Sequence, residues 1–403
     1  IDVTIVNGAL PRLQQSLGAT SSQIEWVVAA YVLAFALGLL PFGRLGDMIG
    51  RSRVFVVGVI AFTLMSGLCG VAPDMPTLIA ARVLQGLAGA MMMQQVLAIV
   101  QVIFPPSERG LAFSFFGLSA GLASVAGPLV GGLLIQADLF GLDWRPIFLV
   151  NLPVGVLTAA AAIAVLPRLK GNPDLDHDPV GILIAGLTIL LLVFPLIEGR
   201  SYGWPAWSFA MIALSAIGAV LFYLYERGRA RAGKTQLLSF GLVTNGSFML
   251  GSVMTMVFFS GVAGFFLVMA VFLQAGFAFT PLESGLTTVP FPGGVLVASF
   301  VSGRLGARYQ RQRIAVGAGV LIVGMALLSR VVGGVGEMVD HWEFVVPLAL
   351  SGFGMGIAIS SLFQTVLANV PHADAGAGSG ALQSFQQIGG ALGIAITCEI
   401  FFG

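Results

Sequence analysis

Thirteen apolar stretches separated by short polar joints run along the chain. The first ends at Pro11, and twelve more follow at about 24–43, 54–72, 77–103, 110–136, 146–166, 179–197, 206–226, 244–273, 283–303, 313–333, 343–369 and 374–402. An α-helix needs roughly 20 apolar residues to cross a bilayer, so the pattern predicts an all-α polytopic membrane protein. The first stretch is only about half that length, and the last runs almost to Gly403. A first helix that starts before Ile1 and a fourteenth span beyond Gly403 are therefore expected. The longest clearly polar joints are Pro167–Pro179 and Glu226–Gln236.

Composition agrees with this pattern. Of 403 residues, 57% are hydrophobic and 9% charged, where a soluble domain carries about 25% charged residues. Mean hydropathy is +0.97. Glycine, at 54 residues, is about twice as frequent as usual. A net charge of +1 points to no nucleic-acid partner. Cys69 and Cys398 both lie inside apolar runs, so neither a disulfide framework nor a metal site is suggested. His177, His341 and His372 fall in loops without metal-ligand spacing. No catalytic triad or nucleotide-binding loop is present, so no enzyme, ATP-driven pump or cofactor is expected.

Basic side chains stay on the cytoplasmic side during insertion. With the joint around Arg12 outside, the inside joints hold fourteen of the 19 Lys and Arg residues. The outside joints hold four (Arg12, Arg145, Arg200, Arg330), and the one left, Arg82, falls within a helix. This bias predicts a cytoplasmic N-terminus in the cell's inner (plasma) membrane.

The stretch G-R-L-G-D-M-I-G-R-S-R from Gly43 recurs as G-R-L-G-A-R-Y-Q-R-Q-R from Gly303, with six of eleven positions identical. Both copies sit at a cytoplasmic helix end, so the halves are parallel repeats, as in transporters built around a midplane site. Three parts are expected: an N-terminal six-helix bundle at 1–166, two extra central helices with their linkers at 167–236, and a C-terminal bundle at 237–403. Trp204 and Trp207, beside the extra pair, read as interfacial anchors.

Four motifs carry candidate chemistry. In D-V-T-I-V-N-G-A-L-P, Asp2 places a carboxylate in a spanning helix, which is costly unless it is paired, wet or protonated. It either exchanges a proton or serves only an interhelical hydrogen bond. In L-I-A-A-R-V-L-Q-G-L-A-G-A, the helical period puts Arg82, Gln85, Gly86, Gly89 and Met93 on one stripe. Arginine stays charged and cannot carry the exchanged proton, but it favours proton release from a neighbouring carboxylate. The alternative is a structural salt bridge. In G-L-S-A-G-L-A-S-V-A-G-P-L-V-G-G, residues Gly117, Gly121, Ser124, Pro128 and Gly131 line a face suited to close helix approach, and Pro128 predicts a bend. Packing and gating are both open for it. In the helix-end motif, Asp47 lies among Arg44, Arg51 and Arg53. These charges either form a conformational latch or only enforce topology. The second copy has Ala307 in place of Asp47 and Gln310 in place of Gly50.

Weaker candidates are Glu399, in the last helix and about 160° around from Gln383, and the run Met91–Gln95, which either lines an adaptable pocket or simply packs. Gln85, Met93, Gln383 and Gln387 are the expected cavity residues.

Taken together, the motifs resemble the major facilitator superfamily, in its fourteen-helix drug:proton antiporter branch. Asp2–Pro11 is similar to the branch's first-helix motif, with Gly8 where valine is usual, and Gly43–Arg53 to the superfamily's loop motif, with Met48 where a basic residue is common. Leu78–Ala90 resembles the fourth-helix motif, and the resemblance passes a role in proton coupling to Arg82. Gly127, Pro128, Gly131 and Gly132 match the fifth-helix motif typical of exporters, which with Gly121 implies efflux. Trp144–Gly155 resembles a further branch stretch, with Pro146 replacing its second tryptophan.

The reading is therefore a proton-coupled antiporter exporting amphiphilic organic compounds or drugs by alternating access. Asp2 is the expected proton carrier, Arg82 its modulator and Glu399 a second acidic site. Gly43, Asp47, Gly50, Arg51 and Arg53 form the expected latch. Protons, a small amphiphilic substrate and membrane lipids are the expected partners of a monomer. The alternative is an exporter or flippase of a lipid or endogenous metabolite, such as an antibiotic made by the host cell.

Overall fold

A computed structural model describes residues 2–7, 9–172, 174–305, 309–334, 340–368, 370–371 and 374–402. Gly8, Ala307, Arg308 and His372 lie outside the described residues, as do the side chains of Pro11, Gly117, Gly121, Ser124, Pro128, Gly303, Arg304 and Cys398.

Among the described residues every regular element is helical. The N-terminal part holds α1 (Asp2–Asn7), α2 (Leu10–Leu17), α3 (Ser21–Ile49), α4 (Arg51–Gly70), α5 (Met75–Ile103), α6 (Pro106–Ala137), α7 (Pro146–Leu149) and α8 (Asn151–Val165). The extra pair is α9 (Pro179–Glu198) and α10 (Ala206–Arg231). There follow α11 (Phe240–Val243), α12 (Gly246–Val271), α13 (Pro281–Thr288), α14 (Pro290–Leu305), α15 (Gln310–Gly334), α16 (His341–Leu367) and α17 (Ala375–Phe402). Ten helices among the described residues are long and apolar enough to cross a membrane. In lipid every backbone polar group must be bonded within its own segment, which leaves the helix as the solution for apolar runs of this length.

The twelve full-length apolar stretches of the sequence all fall on these helices, but the ends and joints differ. Beyond the first stretch, α2 continues to Leu17 with Leu13 buried and Gln14, Gln15 and Ser16 exposed. Proline is tolerated in a first helical turn, where no intrahelical N–H bond is lost, so Pro11 opens rather than ends this helix. The stretch at 283–303 breaks into α13 and α14, and Pro290, without an N–H, starts the second piece. The stretch at 146–166 divides at Val150, and residues Phe272–Gly276 form a π-helical turn after α12. Helix α6 continues through position 128.

The chain divides into two compact units. The first comprises Ile1–Pro11, Val100–Ile147 and Phe266–Ala368. Here α1, α13, α14 and α16 pack against α6, and α16 also packs against α14 and α15. Close approach rests on missing side chains: a Cβ on Gly352 would strike the carbonyl of Phe291. The second unit comprises Arg12–Ile99, Phe148–Phe265 and Asn369–Gly403. In it α3 contacts α4, α9 and α17, α4 contacts α8, and α9 contacts α10 and α17.

Candidate functional site

Arg82 lies on α5 in the second unit and is fully buried. The small residues on its stripe let α5 close on α3, because a Cβ on Gly86 would strike the carbonyl of Tyr31. That closeness brings α3 backbone and ring to the guanidinium. Arg82 Nε donates to the carbonyl of Val27 at 2.9 Å, and its Cζ stands 4.2 Å from the centre of the Tyr31 ring. Arg82 Nη1 donates to Gln85 Oε1 at 2.7 Å. Gln85, also fully buried, donates from Nε2 to Ser66 Oγ at 3.1 Å. Ser66 Oγ in turn donates to the carbonyl of Phe148 at 2.9 Å and accepts from Asn151 Nδ2 at 3.0 Å. Cys69 Sγ lies 3.5 Å from Gln85 Oε1. Five residues on α4, α5 and α8 thus form one polar chain, buried except at half-buried Asn151, that ends on Arg82. Charge-assisted bonds of this kind in a low-dielectric interior hold geometry firmly.

Arg82 and Gln85 share a stripe in the sequence, and the structure joins them. Tyr31 and Ser66 went unnoticed there. Ser66 left one signal, a hydroxyl that with Thr63 interrupts the apolar run of α4. Gln85 faces Ser66 and Arg82, while Gln383 Nε2 donates to the carbonyl of Met93 at 3.3 Å, bringing α17 to α5. Gln387 and Met93 are half-buried.

At the end of α3 the helix-end motif is closed onto the start of α17. Asp47 Oδ1 accepts from the Gly376 N–H at 2.9 Å and Oδ2 from the Ala377 N–H at 3.0 Å. A carboxylate at a helix N-terminus meets unsatisfied N–H groups and the positive end of the helix dipole. Arg51 Nη2 donates to Asp47 Oδ1 at 2.6 Å. Arg44 Nη1 lies 3.7 Å from Asp47 Oδ2 and 3.1 Å from Asp374 Oδ1. The backbones approach closely because Gly43 and Gly376 face each other: a Cβ on Gly43 would stand 2.6 Å from the carbonyl of Gly376. Gln94 completes the contact, donating to the Gly376 carbonyl at 2.7 Å. Gly50 closes α3 at φ 105°, a backbone conformation that disfavours side chains. The loop after α8 lies over it, with the Asn172 N–H bonded to the Asp47 carbonyl at 2.9 Å. Arg53 is exposed. Asp374, a partner that the motif itself does not contain, is 330 positions from Arg44.

Asp2 belongs to the first unit and is 9% exposed. Its helix packs on α6 where Gly131 has no side chain, a Cβ there standing 2.9 Å from the Ile5 carbonyl. The first-helix and fifth-helix motifs are therefore neighbours. Gly127 is buried, and Gly132 meets nothing within 4 Å of a built Cβ. Glu399 is exposed, with Oε2 3.3 Å from Trp204 Nε1 and 4.0 Å from Arg200 Nε, both in the loop between α9 and α10.

Apolar helices long enough to span a bilayer, with charges buried at their ends and Arg82 sealed within, define a multi-pass membrane protein. The chain belongs to the Major Facilitator Superfamily, whose sequence profile matches residues 1–178 and 179–394. It is 40% identical over 404 residues to the "Probable actinorhodin transporter" of Streptomyces coelicolor, covering 100% of this chain and 70% of that protein. It is 31% identical over 402 residues to the "Tetracenomycin C resistance and export protein" of Streptomyces glaucescens, covering 98% of this chain and 72% of the relative. Its fold is like that of the proton:xylose symporter XylE bound to 6-bromo-6-deoxy-D-glucose, with a TM-score of 0.65, 14% identity, and coverage of 100% of this chain and 85% of the symporter. The family resemblance carried by the motifs is borne out.

Proposed function

We propose that this chain is a secondary active exporter of drug-like, amphiphilic organic compounds, driven by proton antiport through alternating access. In this reading residues 1–166 and 237–403 are the two moving bundles, 167–236 carries the added helices, and the N-terminus lies in the cytoplasm of the inner membrane. Export is supported by a relative that carries the word in its name and matches 98% of this chain. The observation that carries coupling is the buried Arg82. A guanidinium buried within a spanning helix costs about 2.5–3.5 kcal/mol on insertion scales, and here it is held by the Val27 carbonyl, the Gln85 amide oxygen and the Tyr31 and Phe148 rings. Such an outlay fits a group that biases proton exchange better than one that only packs. Asp2, a buried carboxylate of the first-helix motif, is the proton carrier of the proposal, and Asp47 with its arginines the latch. Glu399, exposed beside Arg200 and Trp204, fits an ion-pair tether better than a proton path.

Antiport requires proton and substrate to favour opposite states or compete for one site, since a ligand shifts an equilibrium only by differential affinity. The membrane potential adds about 2.3 kcal/mol per charge per 100 mV. The test is efflux of a cationic dye from cells or vesicles carrying the protein. Efflux is expected to stop when the pH gradient is collapsed and to fall at least tenfold in Arg82→Lys, whose ammonium cannot reproduce the forked contacts. Efflux untouched by both treatments contradicts the proposal.

A second reading, export of a metabolite made by the host cell, is favoured by the 40% identity to a protein named for actinorhodin transport. Accumulation of one native metabolite on deleting the protein, with dye efflux unchanged, would select it.

A further inference from the structure

The cytoplasmic end of α10 and the turn after it carry Arg227, Arg229, Arg231 and Lys234 within eight residues. A positive-inside signal would ask only that they be basic. The structure divides them. Arg229 is used internally: its Nε lies 3.2 Å from Asp178 Oδ2 and donates to the carbonyl of Thr235 at 2.6 Å. Tyr225 supports the same carboxylate, its hydroxyl donating to Asp178 Oδ1 at 2.8 Å. Buried Glu226 accepts from the Leu237 N–H at 3.2 Å, which folds the chain back toward α10. This turn lays Phe240 beside Tyr223, with ring centres 5.6 Å apart.

What remains is an open groove of about 480 Å³ lined by Tyr223, Arg227, Ala230, Arg231 and Phe240. Arg227 and Arg231 are four residues apart on one helix face, both are exposed, and among the described residues neither has a carboxylate partner. Two forked guanidiniums beside aromatic rings suit a phosphodiester, which they bind bidentately. The surroundings select its source. Of the ten candidate spans, α10 buries the smallest share of its residues, 11%. Leu224, Leu221, Val220 and Ile217 are all more than half exposed and lead away from the groove along the same helix. A ligand with a phosphate head and apolar tails matches both parts, whereas a soluble phosphate would use only the first.

We infer that the groove at the cytoplasmic end of α10 binds the head group of an anionic phospholipid, with Arg227 and Arg231 on the phosphate and its acyl chains along the bare face of the helix. The added helices are thus fixed to the inner leaflet as well as to α3. The inference uses the orientation proposed above but no step of transport, so it stands or falls separately from the antiport reading.

Native mass spectrometry of the detergent-solubilised protein, titrated with dioleoylphosphatidylglycerol or dioleoylphosphatidylcholine, tests it. The anionic lipid is expected to bind at least tenfold more tightly, and Arg227→Ala with Arg231→Ala to abolish that preference, since each basic residue near an anionic surface contributes roughly a factor of five. Arg168→Ala with Lys170→Ala, in a different cytoplasmic joint, should leave it intact. A preference unchanged by the Arg227 and Arg231 substitutions overturns the inference. So does glycerol phosphate competing as well as the lipid, which would mark a soluble phosphate compound. As a check free of variants, a photoactivatable phosphatidylglycerol should label the peptide containing Tyr223 to Phe240 in the native chain, and labelling confined to other peptides contradicts the site.

Discussion

The two copies of the helix-end motif hold their neighbours by different forces. In the first, a buried carboxylate, Asp47, caps the start of α17 and is flanked by Arg51 and Arg44. In the second, within the first unit, Gln310 bonds to Gln364 at 3.2 Å and accepts from Thr365 at 3.2 Å, so its contacts to α16 are neutral. Gln310, at the position of Gly50, thus adds neutral amide bonds, whereas Asp47 supplies a charge–dipole contact. A charged contact in low dielectric is strong when made and costly when half broken; an amide bond is weaker in both respects. Motifs identical at six of eleven positions need not have identical roles, and in our reading the carboxylate of the first copy is the part built to switch.

Four substitutions put that contrast at risk. Asp47→Ala should have the largest effect: it strands Arg51 and leaves two N–H groups of α17 unanswered, costing about 3–5 kcal/mol of stability and at least a tenfold loss of efflux. Thermal unfolding in detergent and dye export at native-like values would reduce the first copy to a topology signal. Gly376→Ala comes next, because its Cβ would meet the Gly43 carbonyl and the Asp47 carboxylate. A shift of α17 costing about 1–3 kcal/mol is expected, readable as a lower unfolding temperature. Gln310→Ala should cost only about 1 kcal/mol, and a loss equal to that of Asp47→Ala would erase the distinction between the copies. Asp374→Asn should be mildest. Its side chain is 22% exposed, so the lost ion pair with Arg44 is worth at most about 0.5–1 kcal/mol, and the effect should shrink further in high salt.

Periodicity and length made the spans legible, because an apolar run bounded by polar joints in a bilayer has one stable form. At Val150 and Val289 hydropathy is continuous and the backbone keeps helical angles (φ −59°, ψ −25° and φ −51°, ψ −36°), so only the hydrogen-bond ladder is interrupted there; at Val289 the next residue, Pro290, was the one visible signal. The same division holds for the candidate site. Arg82 and Gln85 are three residues apart, so the helical period joined them in advance. Tyr31 reaches Arg82, Ser66 reaches Gln85 and Asn151 reaches Ser66, all from other helices, and no local pattern ties residues that far apart in sequence. Asp47 read as a charge awaiting a partner. That the partner would be two backbone N–H groups more than 300 positions away carries no side-chain signature at all.

The central claim is that outward movement of substrate is bound to inward movement of protons through Asp2. The most direct measurement is internal pH in proteoliposomes as a cationic dye is added without any imposed gradient. A dye-dependent pH change on the opposite side is expected in the native protein, with its loss in Asp2→Asn and a weakened change in Arg82→Lys. Dye flux with no proton movement, or the same proton movement in Asp2→Asn, would contradict the claim.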